Sequence, residues 1–157
     1  MVKIRGQRMW MGKLPVDLSS VTTVGLDLAK YVFFIHAVDA QGQVVFAKEI
    51  RRRKFLFFFA SLPECLVGVE ACSSAHHWGR ELTTLRHNVR LMPPAYVKPY
   101  GKRQKNDAAD AAVMCEAVTR PSTRFVKVRS VDNQTALMHH KVREMLVRQR
   151  TQMELSD

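Results

Sequence analysis

Four carboxylates in this chain have the surroundings expected of groups that hold a divalent cation against a phosphodiester: Asp27 in VGLDLAK, Glu70 in LVGVEAC, and Asp107 with Asp110 in KNDAADA. Asp27 follows the apolar run 23–26 and Glu70 follows the run 66–69, so each stands at the end of a segment that reads as a buried strand. Desolvating an ionised carboxylate without a partner is costly, so acids in such places are paired, capping or ligating. Asp107 and Asp110 are three residues apart, which on a helix puts them on one face. Four such groups brought together would take Mg2+ or Mn2+ in preference to zinc, because every ligand is an oxygen. Two ions roughly 3.5 to 4 Å apart would serve the attacking and the leaving oxygen of a phosphodiester. The competing reading is structural: Asp27 closes a loop, and Asp107 is an N-cap or first-turn acid favoured by the helix dipole.

Directly before the acid pair, Lys98, Lys102, Arg103 and Lys105 alternate with Tyr96 and Tyr100. Such a segment is a candidate phosphate contact for nucleic acid beside the metals. The adjacent pairs His76/His77 and His139/His140 do not have the i, i+3 or i, i+4 spacing with which a helix converges on one metal. No GxSxG, P-loop or GxGxxG occurs, so neither a nucleophile-and-base enzyme nor a dinucleotide binder has support. An actin-like or sugar-kinase-like nucleotide binder would also begin with an Asp after its first strand. It would then carry glycines for phosphate approach, where this chain has Leu28, Ala29 and Lys30.

The elements that must position these acids read as an α/β order. Residues 1–20 mix cations with Gly6, Gly12 and Pro15 and form a basic, flexible arm. TVGLDLA, VFFIHAV and QVVFAKEI then make a three-strand meander with a hairpin turn at residues 39–42. Phe55, Phe58, Phe59 and Leu62 fall at helical spacing on a core-facing stripe that Pro63 ends. CLVGVEA is a buried strand, SSAHHWGRELTTLRH a helix with Trp78, Leu82 and Leu85 on one face, and NVRLMPP a strand closed by prolines. The Ala-rich DAADAAVMCEAV is a helix running to Pro121. A mixed sheet in residues 21–121 is therefore expected, followed in residues 122–157 by a linker and a long helix. That helix has a narrow seam at Met138, Val142 and Met145, interrupted by Gln149 and Gln152, and wants a partner.

The bulk composition agrees with a polyanion partner. The chain of 157 residues carries 25 Lys and Arg against 14 Asp and Glu, a formal charge of +11, with 46% hydrophobic residues for a core. Cys65, Cys72 and Cys115 lack CxxC spacing and read as buried thiols of a cytosolic protein. No apolar stretch approaches the ~20 residues that span a bilayer, and no export signal is visible.

Taken together, VGLDLAK, LVGVEACSSAHHWGREL, VRLMPPAYVKPYGKRQKNDAADA and MCEAVTRPSTRFVKV resemble the amino-terminal domain of the DEDD transposases of bacterial insertion sequences, the group that includes the Piv-type DNA invertases. The resemblance covers residues 24–155. It implies an α/β fold similar to ribonuclease H and Holliday-junction resolvases, with a long C-terminal helix that starts a coiled coil. It makes Asp27 the first acid, Glu70 the second, and Asp107 and Asp110 the final pair, with Mg2+ as cofactor. It further implies DNA cutting and rejoining in transposition, a structured guide RNA as a second partner, homo-oligomerisation through the C-terminal helix, and residence in the bacterial cytoplasm, at the nucleoid when bound to DNA. Family proteins are longer and carry a second catalytic domain with a nucleophilic serine. This chain alone is therefore expected to be an incomplete recombinase, with a non-catalytic nucleic-acid-binding module as the alternative.

Overall fold

The computed structural model describes residues 17–97 and 107–154, with only the backbone described for Tyr96, Val97, Asp107 and Ala108. Most of the expected basic arm, and all of Lys98, Lys102, Arg103 and Lys105, lie outside the described residues. β1 (Thr23–Leu28), β2 (Val32–Val38) and β3 (Val44–Arg51) form the antiparallel meander, and β4 (Leu66–Glu70) and β5 (Asn88–Met92) extend it in parallel. The strand order is β3-β2-β1-β4-β5, so β1 lies at the centre of a mixed sheet.

Sequence alternation explains why the sheet forms as it does. In VFFIHAV the buried positions are Phe33, Ile35 and Ala37, so one face of β2 is apolar throughout. The β2–β3 hairpin is set by Asp39, whose carboxylate accepts from the backbone N–H groups of Gln41 (2.9 Å) and Gln43 (2.8 Å). Gly42 provides the left-handed residue at φ 76°.

Two helices cover the Phe33 face: α1 (Phe55–Phe59), which follows a tight turn at Arg52–Lys54, and α2 (Ala75–Thr84). Phe55 and Phe59 are fully buried, each stabilising by roughly 1.5–3 kcal/mol. Trp78 meets Phe33 and Phe55 edge to face at 5.2 and 5.1 Å. α2 ends in a Schellman closure, in which Arg86 takes the left-handed conformation (φ 68°) while the His87 N–H reaches the Leu82 carbonyl. The buried His87 ring then bridges two elements. Its Nδ1 accepts from the Cys65 N–H (3.4 Å) and its Nε2–H donates to the Phe59 carbonyl (3.1 Å), which requires the neutral imidazole.

The opposite face carries α4 (Asp107–Val118), after the single-turn α3 (Pro94–Val97). α4 packs on β1, β2 and β4, and Met114, Ala117 and Val118 close over Met92. Helices on both faces of a mixed sheet make the expected three-layer, ribonuclease-H-like arrangement.

Beyond α4 the chain returns across β5, where the Val126 N–H donates to the Leu91 carbonyl at 2.7 Å. It is then clamped to α2. Arg80 donates to the Arg129 carbonyl (2.6 Å) and the Gln134 side chain (3.0 Å), and His76 Nδ1 accepts from the Arg129 N–H (3.2 Å). From this clamp α5 (Val131–Glu154) projects with no buried residue, and Met138, Val142, Met145 and Leu146 are exposed along it.

One sequence reading is corrected. Cys72 is exposed, because it lies in the loop after β4. His76 is buried, with its Nδ1 on the Arg129 N–H.

Candidate active site at the strand ends

Asp27 is the penultimate residue of β1 and Glu70 the last residue of β4. The two strands are parallel neighbours in the register Gly25↔Gly68 and Leu26↔Val69, so the acids leave the sheet side by side at its C-terminal edge. Both are half-buried. Alternation puts Gly25 with Asp27, and Gly68 with Glu70, on the face that α4 covers.

The glycines explain how α4 comes to this place. A methyl on Gly25 would overlap the Ala111 carbonyl oxygen and backbone nitrogen of Cys115, and would lie 2.8 Å from Cys115 Cβ. A methyl on Gly68 would lie 2.7 Å from Val118 Cβ and 2.9 Å from the Met114 carbonyl oxygen. The helix backbone thus rests directly on the two central strands. Ala111 sits at Gly25 while the Cys115 thiol approaches the Thr23 carbonyl (3.8 Å), so α4 runs antiparallel to β1. Its first turn, with Asp107 and the half-buried Asp110, therefore lies toward the same sheet edge as Asp27 and Glu70.

All four predicted acids are accordingly carried to one edge of the sheet by three elements. Among the described residues no three His, Cys, Asp or Glu side chains stand close enough to hold a metal ion. The Asp107 side chain is not among those described, and neither is the basic segment that precedes it. The donor chemistry itself, carboxylate oxygens only, suits Mg2+ or Mn2+.

Other titratable groups have structural explanations. Burial lowers the pKa of His36, which lies beside Gly25 in the β1–β2 register, and keeps it neutral under α4. Burial raises the Cys65 thiol to about 12 and the Cys115 thiol to about 11, which leaves both unreactive. Lys48, on the other face, lies 3.5 Å from the Phe58 ring centroid, and burial lowers its pKa to about 8.

Two features escaped the sequence reading. One is the paired words V-G-L-D and V-G-V-E, in which a glycine two residues before each acid marks where a helix must cross closely. The other is the cationic run Arg51, Arg52, Arg53 and Lys54, which the hairpin register brings to the same sheet edge.

The fold and the strand-end acids define a ribonuclease-H-like domain. The chain belongs to the DEDD transposase family of the IS110 type, whose model, described as a transposase, matches residues 24–155. It is 50% identical over 132 residues to a probable family 20 transposase of Pseudomonas aeruginosa, covering 84% of this chain and 39% of that protein. It is 43% identical over 137 residues to the putative transposase y4pF/y4sB of Sinorhizobium fredii, with 87% and 35% covered. Over 133 residues it is 40% identical to the transposase for insertion sequence element IS1328 of Yersinia enterocolitica, with 85% and 40% covered. The chain thus spans 35% to 40% of the length of these curated relatives.

Proposed function

We propose that this chain is the amino-terminal, metal-binding part of an insertion-sequence transposase, acting on DNA phosphodiesters together with a further catalytic part. Residues 21–121 form the catalytic domain in this reading, and residues 122–157 lead into a coiled coil. Asp27, Glu70, Asp107 and Asp110 hold Mg2+ or Mn2+, and Lys98, Lys102, Arg103 and Lys105 contact the nucleic-acid backbone. When bound, the ions polarise the phosphoryl group and lower the pKa of the attacking oxygen's proton. The chain's own contribution is positioning: two strand ends and one helix turn gather four carboxylates where the central strands leave the core. A structured guide RNA and a second copy docked along α5 complete the set of partners, at the nucleoid in the bacterial cytoplasm.

The observation that carries this reading is the seating of α4 on Gly25 and Gly68. It sends the first helical turn toward the edge from which Asp27 and Glu70 emerge. A helix seated this closely on two adjacent strands has its N-terminal acids directed by backbone contact rather than by long side chains.

Titrating Mg2+ and Mn2+ into the wild-type chain and into Asp27→Asn and Asp110→Asn tests it. Saturation at about a hundred times Kd stabilises by roughly 2.7 kcal/mol, a rise in Tm of about 5–10 °C for a chain of this size. The rise is expected in wild type and absent in both variants. No response in wild type, or an equal response in all three, removes the metal site and leaves a nucleic-acid-binding domain whose acids are structural.

A further inference from the structure

The longest uninterrupted cationic run in the chain is Arg51, Arg52, Arg53 and Lys54. Its position is not arbitrary. Arg51 pairs with Val32 at the start of β2, and the Arg52 N–H donates to the Tyr31 carbonyl at 3.0 Å, so the run is stitched to the loop that follows Asp27. Across the sheet, Asp27, Phe34 and Glu49 form one row, and Arg51 lies two residues beyond Glu49 on the same face as Asp27. Two strand spacings separate β3 from β1, about 10 Å. A DNA strand advances about 3.4 Å per nucleotide. A backbone with its reacting phosphate at Asp27 and Glu70 therefore passes the cationic run about three nucleotides away.

The four side chains are disposed to receive an anion. All are exposed, and among the described residues none forms an ion pair with a carboxylate. Arg52 is braced, with its guanidinium carbon 5.3 Å from the Trp78 ring centroid. Arg51 and Lys54 line a cleft of about 300 Å³ with Ile50 and Glu49, the one counter-charge in its lining. Tyr31, 71% exposed, stands at the same edge with the Lys30 ammonium 5.1 Å from its ring centroid. Charges on an outer strand commonly guard it against edge-to-edge pairing. That role does not account for this run, because Arg52, Arg53 and Lys54 follow the end of β3 in a tight turn and leave its edge behind.

We propose that Arg51, Arg53 and Lys54, braced through Arg52 on Trp78, clamp the phosphate backbone of duplex DNA flanking the strand-end carboxylates, with Tyr31 against the same strand. The choice of DNA rests on the reading that those carboxylates act on DNA. The clamp residues are other than those of the cationic segment at residues 98–105.

The test is binding of the 157-residue chain to a short DNA duplex by fluorescence anisotropy between 50 and 200 mM salt. Each phosphate contact contributes about 0.9 to the slope of log K against log salt, so Arg53→Ala/Lys54→Ala should lower it by about 1.8. The affinity lost across that fourfold salt range should shrink by about tenfold. Arg53→Lys, which keeps the charge, should retain the slope. Arg86→Asn, a charge removed at the opposite end of the sheet, should leave it unchanged. An unchanged slope in the double variant, an equal drop in Arg86→Asn, or no duplex binding by wild type overturns the clamp. A loss confined to an RNA of the same length overturns it in favour of RNA. Mg2+ stabilisation of the wild-type chain, measured alongside, separates the two claims: no metal response in wild type together with a lowered slope in Arg53→Ala/Lys54→Ala defeats the metal site and leaves the clamp standing.

Discussion

Replacing Gly25 by alanine tests the backbone contact that seats α4. The added methyl would meet the Ala111 carbonyl oxygen and Cys115 nitrogen, both backbone atoms, and Cys115 Cβ at 2.8 Å. Neither backbone atom can swing aside, so the helix must lift or the strand must bend. Overpacking of a core costs typically 1–3 kcal/mol, and a clash with backbone on a central strand belongs at or above the top of that range. At 2–4 °C per kcal/mol, a loss of about 3 kcal/mol lowers Tm by roughly 6–12 °C. Gly68→Ala, whose nearest contact is the Val118 side chain at 2.7 Å, should cost less. Gly42→Ala has nothing within 4 Å and pays only for its positive φ, roughly 1 kcal/mol. Thermal melts by circular dichroism should rank the losses as Gly25, Gly68, Gly42. A Gly25→Ala protein that melts within a degree or two of wild type would refute the seating of α4, and with it the argument that the helix delivers Asp107 and Asp110.

Three further outcomes follow from the same geometry. His36, His76 and His87 all have pKa values lowered by burial, so below about pH 6.5 the unfolded chain binds protons that the folded chain refuses. Stability should be level above pH 7 and fall as pH drops below 6.5, by at most about 1.4 kcal/mol per pH unit for each histidine; urea melts that show a rise on acidification would contradict this. A thiol reagent at neutral pH should label Cys72 rapidly and Cys65 and Cys115 only on unfolding, and fast labelling of all three would contradict the burial of the other two. Truncation after Ala136 keeps Gln134, which bonds to Arg80 and to the Ser73 carbonyl, and removes helix that is exposed apart from the half-buried Leu137, so Tm should move by a few degrees at most while, on the proposed pairing along α5, sedimentation shifts to monomer. A loss of more than about 10 °C would place α5 in the core.

Local pattern made most of this fold legible. The alternation in VFFIHAV, the DAQG turn, the FLFFF stripe and the Ala-rich helix each act within a few residues, and each element formed where its pattern lies. Asp27 and Glu70 were visible as strand-end acids for the same reason. The close helix crossing was less visible, because it depends on Gly25 and Gly68 meeting across neighbouring strands, although the repeated glycine before each acid was there to find. The burial of His76 was not legible because its partner, Arg129, lies 53 residues away, and Cys72 was read as buried from its apolar neighbours although it stands in the loop after β4. The run Arg51–Lys54 escaped the sequence reading, because only the hairpin register shows that it shares an edge with Asp27. The segment containing Lys98 and Lys105 lies outside the described residues.

The most direct measurement is paramagnetic broadening by Mn2+ of the backbone amide resonances of the wild-type chain. Broadening should begin at residues 26–29, 69–72 and 107–111, spare the hairpin at residues 39–43, and vanish from all three segments in Asp27→Asn. Broadening that is uniform, centred on another part of the chain, or unchanged in Asp27→Asn would contradict a metal site built from the strand-end carboxylates.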